Sequence, residues 1–327
     1  MKKVIVDADQ IPYSCGFAAK GEPLSHVLQL AKKAMQRITT DTGIEDLEVF
    51  IKGVGNFRED IAFTQTYKGN RSAAKPETYD DTRTYLQEQW NATQVHGMEV
   101  DDHVSILLWE DFKKHGGDRH KCEVVLSSPD KDLRNTPGWH HFPRSGEVAW
   151  LSPYQATLHF FKQMLEGDNV DNIKGLPKVA MSDVHTYGLT KQANTKGCGK
   201  ASALKLMDYT RAKANPDLFV WERYMSWGKE VGMAPEDVRD YFIEQAQLLW
   251  MTRELDSLGN PVLYSPNEDW YEEAAERIYG AGSYASYKTG EGEDGLFGEE
   301  RGAGSSGDEL TGDDDSEWLS VCPDSAG

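Results

Sequence analysis

Short apolar runs that end in acid alternate with amphipathic stretches along the first half of the chain. VIVDAD near the amino terminus reads as a buried strand, and the stretch from about Glu22 to Thr40 reads as a helix because Leu24, Leu28, Ala31 and Met35 fall at helical spacing. LEVFIK, Leu47 to Lys52, is a second strand. TQVH is a short strand with a helix from Val100 to about Lys114 behind it. EVVLSS is another strand, the segment around Val148 to Leu151 a further one, and a helix runs from Pro153 to Leu165. Strands and helices alternating in this order predict an α/β fold with a central, mostly parallel sheet and flanking helices.

Eight carboxylates stand in four short clusters, mostly just behind those apolar runs: Asp7 in VIVDAD, Glu99, Asp101 and Asp102 in MEVDD, Asp130 and Asp132 in SSPDKD, Asp168 and Asp171 in EGDNVDN. Open α/β sheets bind ligands beyond the carboxyl ends of their strands, which is where Asp7, Glu99 and Asp130 fall. A single acid of this kind is ordinarily a helix cap or a turn residue. Four clusters at one end of a sheet are different, because like charges repel unless divalent cations lie between them, and hard oxygen donors select Mg²⁺ or Mn²⁺. On the helix after TQVH, Glu99 and Asp102 are three apart and are expected to face one cation, with Asp101 reaching sideways. The pattern points to a two-metal phosphodiesterase. The nine histidines form no HExxH or HxH pattern, and His103 beside the acids reads as an ordinary surface or core histidine, so zinc is not expected.

Composition changes the picture in one respect. A chain of 327 residues with 39% hydrophobic residues can bury a large core, yet its formal net charge of −19 looks wrong for a nucleic-acid enzyme. From Ala281 to Gly327 twelve acids face only Lys288 and Arg301, a balance of −10, which leaves −9 for the rest. Conversely, between Lys174 and Lys213 eight Lys or Arg residues face only Asp183 and Asp208, a balance of +6. A basic stripe of that density is an electrostatic footprint for phosphates. No segment approaches the roughly 20 apolar residues that span a bilayer, and MKKVIVDADQ is no secretory signal, so no membrane partner and a cytoplasmic location are expected. Cys15, Cys122, Cys198 and Cys322 stand alone without CxxC spacing and read as reduced, structural residues.

VIVDAD, YKGNR, EVDD, SPDKD and GDNVDN, in that order, resemble the flap-endonuclease and 5′-nuclease superfamily, and specifically the 5′→3′ exonucleases of T7-like phages. The later GMAPEDVRDYFIEQAQLL, Gly232 to Leu249, is similar to the carboxy-terminal helix of that group, so the resemblance runs from Met1 to about Trp270. It implies an α/β nuclease core over residues 1–165, with an arch or gateway over about 53–90. A helix–three-turn–helix element and a helical part follow over 166–275. It also implies two Mg²⁺ or Mn²⁺ ions, the nearer held by Asp7, Glu99, Asp101 and Asp130 and the farther by Asp132, Asp168 and Asp171, with Asp102 beside both. One departure stands out: the superfamily usually has an aspartate at the end of its second strand, where this chain has only Gly53 and Gly55. Asp9 and Asp60 are the candidates to supply that charge.

YKGNR lies where the family has its gateway. On a helix, Lys68 and Arg71 would face one phosphate together and stabilise charge building up in the transition state, and Tyr67 is either a base-stacking or a core residue. GDNVDNIKGLP followed by TKGCGKASALKLM resembles the element with which this superfamily grips duplex DNA. Lys174, Lys196, Gly197, Gly199, Lys200 and Lys205 are its candidate DNA contacts, with the amino end of a helix near Lys200 offering N–H groups to a phosphate. K⁺ is a further candidate ion there. A Walker A reading fails, because Asn194 stands where the first glycine should be and Ala201 replaces the Ser or Thr.

The implied activity is metal-dependent hydrolysis of duplex DNA from 5′ ends by a monomer, with flap cleavage and RNA/DNA hybrids as alternative uses. Residues 281–327 read as an acidic, Gly/Ser-rich disordered tail, in which DDDSEWLSV offers a replication partner a docking segment. A haloacid-dehalogenase-like phosphatase would explain VIVDADQ and GDNVDN but leaves MEVDD, SPDKD and YKGNR unused. A non-catalytic DNA-binding protein is the other rival.

Overall fold

The computed structural model describes residues 1–71 and 74–280; the predicted acidic tail lies outside them. Six strands form one sheet: β1 (Lys3–Asp7), β2 (Leu47–Lys52), β3 (Thr93–Val95), β4 (Val124–Ser127), β5 (Gly138–Phe142) and β6 (Glu147–Leu151). Their order is β3-β2-β1-β4-β5-β6, parallel except for the antiparallel β5–β6 pair at the edge. The fold is therefore α/β with a mostly parallel sheet, as the pattern predicts. The sequence reading passes over β5, whose GWHHF carries a glycine and two histidines. The structure buries both rings, with His140 bonded to the Thr136 carbonyl and His141 to Ser127.

Strand residues alternate between two cores. Val4 and Val6 face α1 (Gln10–Ala18), α2 (Leu24–Thr42) and, after the four-residue α3 (Arg58–Ile61), α4 (Tyr79–Trp90). Ile5, Phe50 and Leu126 face α5 (Val100–Lys114) on the other side. Covering both faces is what a parallel sheet requires. Helix α2 forms close to its predicted place and buries Ala31 and Met35 as the spacing predicts, with Val27 and Ile38 on the same face, whereas Leu24 at its first position is exposed.

The chain then enters α6 (Pro153–Glu166), opened by a capping box in which Ser152 accepts from the Gln155 N–H and Gln155 returns a bond to the Ser152 N–H. Gly167 ends it at φ +70, where a Cβ would stand 2.4 Å from the Ile173 carbonyl. Only glycine allows this close turn, and it delivers Asp168 to the mouth of the sheet. The rest is helical: α7 (Met181–Thr186), α8 (Gln192–Thr195), α9 (Lys200–Met207), α10 (Thr210–Ala214), α11 (Pro216–Val231), α12 (Pro235–Leu249) and α13 (Glu268–Tyr279). Among the described residues no helix is long and apolar enough to cross a membrane.

Candidate active site

The acids converge beyond the carboxyl ends of β1 and β4, at the amino end of α5 and in the turn after α6. Asp7 ends β1 and is buried, with Oδ2 accepting from the Ser128 hydroxyl at 2.8 Å and Oδ1 from the Asp9 N–H at 3.1 Å. Behind β4, Asp130 receives the Asp132 N–H at 2.9 Å, and Asp132 receives Gln163 Nε2 at 2.6 Å. Asp168 is buried and accepts from the N–H groups of Val170 and Asp171.

Electrostatics sort these groups. Burial first, then Asp9, pushes the Asp7 carboxyl up to about 7, with Asp130 adding to the shift. Burial, followed by the charges of Asp7 and Asp130, pushes Asp101 well up. Burial raises Asp130, with Asp171 and Asp168 adding to it, and burial with Asp130 and Asp168 raises Asp132 well above the ordinary range. Four carboxyls disfavoured by desolvation and by neighbouring acids are what divalent cations relieve, so the all-oxygen donor set fits a hard cation.

Glu99 has the opposite environment. It is the N-cap residue of α5, and although burial opposes its charge, Lys68 and Arg58 with hydrogen bonds from Lys68 and Tyr67 hold it down at about 2. Lys68 Nζ bonds Glu99 Oε1 and lies 3.5 Å from Asp171 Oδ2, while Arg71 Nη2 bonds Asp171 Oδ1. Lys131 Nζ stands 3.6 Å from Asp168. The protein's own cations thus occupy the rim of the acid cluster.

Three placements differ from the sequence reading. Asp102, expected to share a cation with Glu99, is fully buried against the Arg58 guanidinium, with Oδ1 also accepting the Thr252 N–H at 3.0 Å. It is Asp101 that feels the charges of Asp7 and Asp130. Lys68 and Arg71 lie in a turn rather than on a helix, Lys68 at φ 55 with its N–H bonded to the Asp171 carbonyl at 2.9 Å, and both side chains meet at Asp171. Tyr67 is buried, its hydroxyl 2.7 Å from Glu99 Oε2 and 2.9 Å from Asp171 Oδ2, so its ring is no base-stacking platform here.

The missing strand-end carboxylate has a steric cause. A Cβ on Gly53 would stand 2.5 Å from both the Val95 carbonyl and His96 Nδ1, so no side chain fits at the end of β2. Asp9 reaches this place from the loop after β1, its Oδ1 accepting the Lys52 N–H at 2.6 Å. Asp60 is exposed on α3.

In the helical half, α9 begins at Lys200 behind Gly199, and Gly197 at φ +115 uses the left-handed freedom of glycine to turn the chain into it. Lys174, Lys196, Lys200 and Lys205 are exposed. Lys205 Nζ also donates to the Gly188 carbonyl at 2.7 Å. Sequence reasoning missed Arg58 and Gln163, whose partners lie far away in the chain. It also missed the grouping of Asp111, His115 and Cys122, which an acid and a histidine four apart on one helix would have signalled.

Neither a family model nor a curated protein matches the chain. Among solved structures it is similar to the bacteriophage T5 5′-exonuclease with divalent zinc ions bound, at 14% identity over 85% of this chain and 98% of that one, with a TM-score of 0.43. It is also similar to the catalytic core of Rad2 in complex with DNA substrate, at 13% identity over 88% and 91%, with a TM-score of 0.44.

Proposed function

We propose that this chain is a divalent-metal-dependent nuclease of the flap-endonuclease and 5′-nuclease kind, hydrolysing phosphodiester bonds of duplex DNA from 5′ ends in the 5′→3′ direction. The observation that carries the reading is the gathering of Asp7, Asp101, Asp130 and Asp132, each disfavoured as a charge by burial and by neighbouring acids, beyond the carboxyl ends of parallel strands. Asp7, Asp101 and Asp130, with Glu99, would hold the nearer ion, and Asp132, Asp168 and Asp171 the farther one. Asp9 takes the role that Gly53 leaves open, while Asp102 positions α5 from behind through Arg58.

Two Mg²⁺ or Mn²⁺ ions would supply Lewis acidity at the attacking water and at the leaving 3′ oxygen. Lys68 and Arg71 then exchange Glu99 and Asp171 for the scissile phosphate, bringing a compact charge and a bidentate fork. The amino end of α9, with Gly197, Gly199, Lys196 and Lys200 and with Lys174 nearby, holds backbone phosphates of the duplex, where K⁺ would also find a place. Such contacts position the substrate without reading its sequence. The chain acts as a monomer in the cytoplasm, and its acidic tail serves a replication partner.

Product mapping on matched blunt, nicked, flapped and RNA-primed duplexes tests the reading. Mg²⁺-dependent mononucleotide release from a blunt 5′ end, abolished by EDTA, is the expected result. Oligonucleotide release confined to flaps would move the assignment to a flap endonuclease, and no turnover on any duplex would overturn it.

A further inference from the structure

A second group of metal-ligating side chains stands at the other end of the sheet. Helix α5 begins at Glu99 by the acid cluster, and Asp111 lies twelve residues along it, roughly 18 Å away at 1.5 Å per residue. His115 caps its carboxyl end, and Cys122 lies in the turn that leads back into β4. One ligand atom from each of Asp111, His115 and Cys122 lies within 4.8 Å of the other two. We propose that these three residues form a structural cation site of the zinc class, separate from the acid cluster and untouched by the proposed nuclease chemistry.

The donor set determines the class. A carboxylate oxygen, an imidazole nitrogen and a thiolate sulfur make a borderline-soft, three-ligand set that suits tetrahedral Zn²⁺ with a water in the fourth position, and it is unlike the all-oxygen mouth. Ligand atoms around tetrahedral zinc stand roughly 3.5 Å apart, so the triangle needs only a small contraction. Asp111 is already oriented for it. Oδ2 accepts the N–H groups of Glu123 at 2.9 Å and Val124 at 3.2 Å, while Oδ1 stands 3.1 Å from His115 Nδ1, which also lies 3.0 Å from the Asp111 backbone carbonyl, so a cation at Oδ1 would take the place of the proton that Nδ1 shares there. Asp111 and Cys122 are buried, while His115 is half-buried and leaves an approach from solvent. Without a cation, burial and Asp111 push the Cys122 thiol up to about 11, so the sulfur keeps its proton beside the carboxylate. A metal would displace that proton.

Cobalt(II) added to the EDTA-stripped full chain tests the proposal, because a thiolate-to-Co²⁺ charge-transfer band cannot arise from the all-oxygen mouth. The expected result is such a band at one equivalent, reversed by Zn²⁺ and retained when Asp130→Asn and Asp168→Asn disable the mouth. Cys122→Ser should abolish it, and His115→Gln, at a half-buried position that tolerates change, should weaken Co²⁺ binding at least about tenfold. With the mouth disabled by Asp130→Asn and Asp168→Asn, Zn²⁺ should raise the Tm, and adding Cys122→Ser should remove that rise. Absence of the band, or its survival in Cys122→Ser, would reduce the cluster to a hydrogen-bonded latch and overturn the proposal.

Discussion

Two sets of buried acids handle charge in opposite ways. In the helical half, Glu222 is 1% exposed and is met by Arg211, Arg277 and Arg223, and Arg223 in turn pairs with Asp183 at 2.9 Å. Those contacts tie α7, α10, α11 and α13 together, so fixed cations complete the charge inside the fold. At the mouth, burial and neighbouring acids raise Asp7, Asp101, Asp130 and Asp132, while the nearby Lys68, Arg71 and Lys131 pair with Glu99, Asp171 and Asp168. A buried acid with its own arginines holds structure together. On the function proposed above, the mouth acids instead await a cation from solvent.

The sharpest way to break this comparison is to remove acids from each set. Asp130→Ala or Asp168→Ala should lower cleavage by at least about three orders of magnitude while leaving Tm unchanged or higher in EDTA, because a repulsion disappears. DNA binding in EDTA should survive, as fluorescence anisotropy would show, and full cleavage by both variants would sink the metal assignment. Glu222→Ala should do the reverse, costing on the order of 2 kcal/mol in denaturant melts with cleavage retained below the transition.

Acidity should separate the regions next. The Asp7 carboxyl is raised in the folded protein to about 7 from its ordinary value near 4, so the native state binds more protons than the unfolded chain across that interval. In EDTA, stability is then greatest below the ordinary carboxyl range, declines as pH rises, and levels off above about 7. Mg²⁺ should flatten the decline. Melting curves from pH 5 to 8, with and without Mg²⁺, check it; a decline that Mg²⁺ leaves untouched would place the cause elsewhere.

Smaller effects refine the picture. Asp9→Asn, which keeps an oxygen for the Lys52 N–H, should raise the Mg²⁺ concentration needed for half-maximal cleavage by about 10- to 100-fold. Lys196→Ala should weaken duplex binding uniformly across sequences and reduce the salt slope by about 1. Lys205→Ala should change binding less, since its amine already serves the Gly188 carbonyl. Salt-dependent anisotropy titrations distinguish the two.

How legible this was in the sequence depended on the range of the interactions. Strands β1, β2 and β4 and helices α5 and α6 follow from apolar runs and the stretches between them, and the acids behind them follow from position. What escaped was set by distant partners. Helix α1 starts directly after β1, with Pro12 and Gly16 inside it, so nothing local announces it. Local spacing favours Asp102 over Asp101 as the cation-facing acid, and only Arg58, 44 residues upstream, draws Asp102 into the core instead. Gly53 looked like a missing ligand until the Val95 carbonyl showed that no side chain fits there.

Arg58 has a mechanical consequence as well. It is fully buried, its Nε donates to the Leu248 carbonyl at 3.0 Å, one Nη to the Trp250 carbonyl at 2.7 Å and the other to Asp102. One side chain thus rivets α3 to α5 and to the end of α12. The residues that follow are held to α12 as well, Phe63 and Thr64 both donating their N–H groups to Glu244 Oε1 at 2.7 Å. The four-residue α3 is therefore a fixed post shared by the sheet layer and the helical half, from which the chain runs on to Tyr67 and Lys68 at the acid cluster.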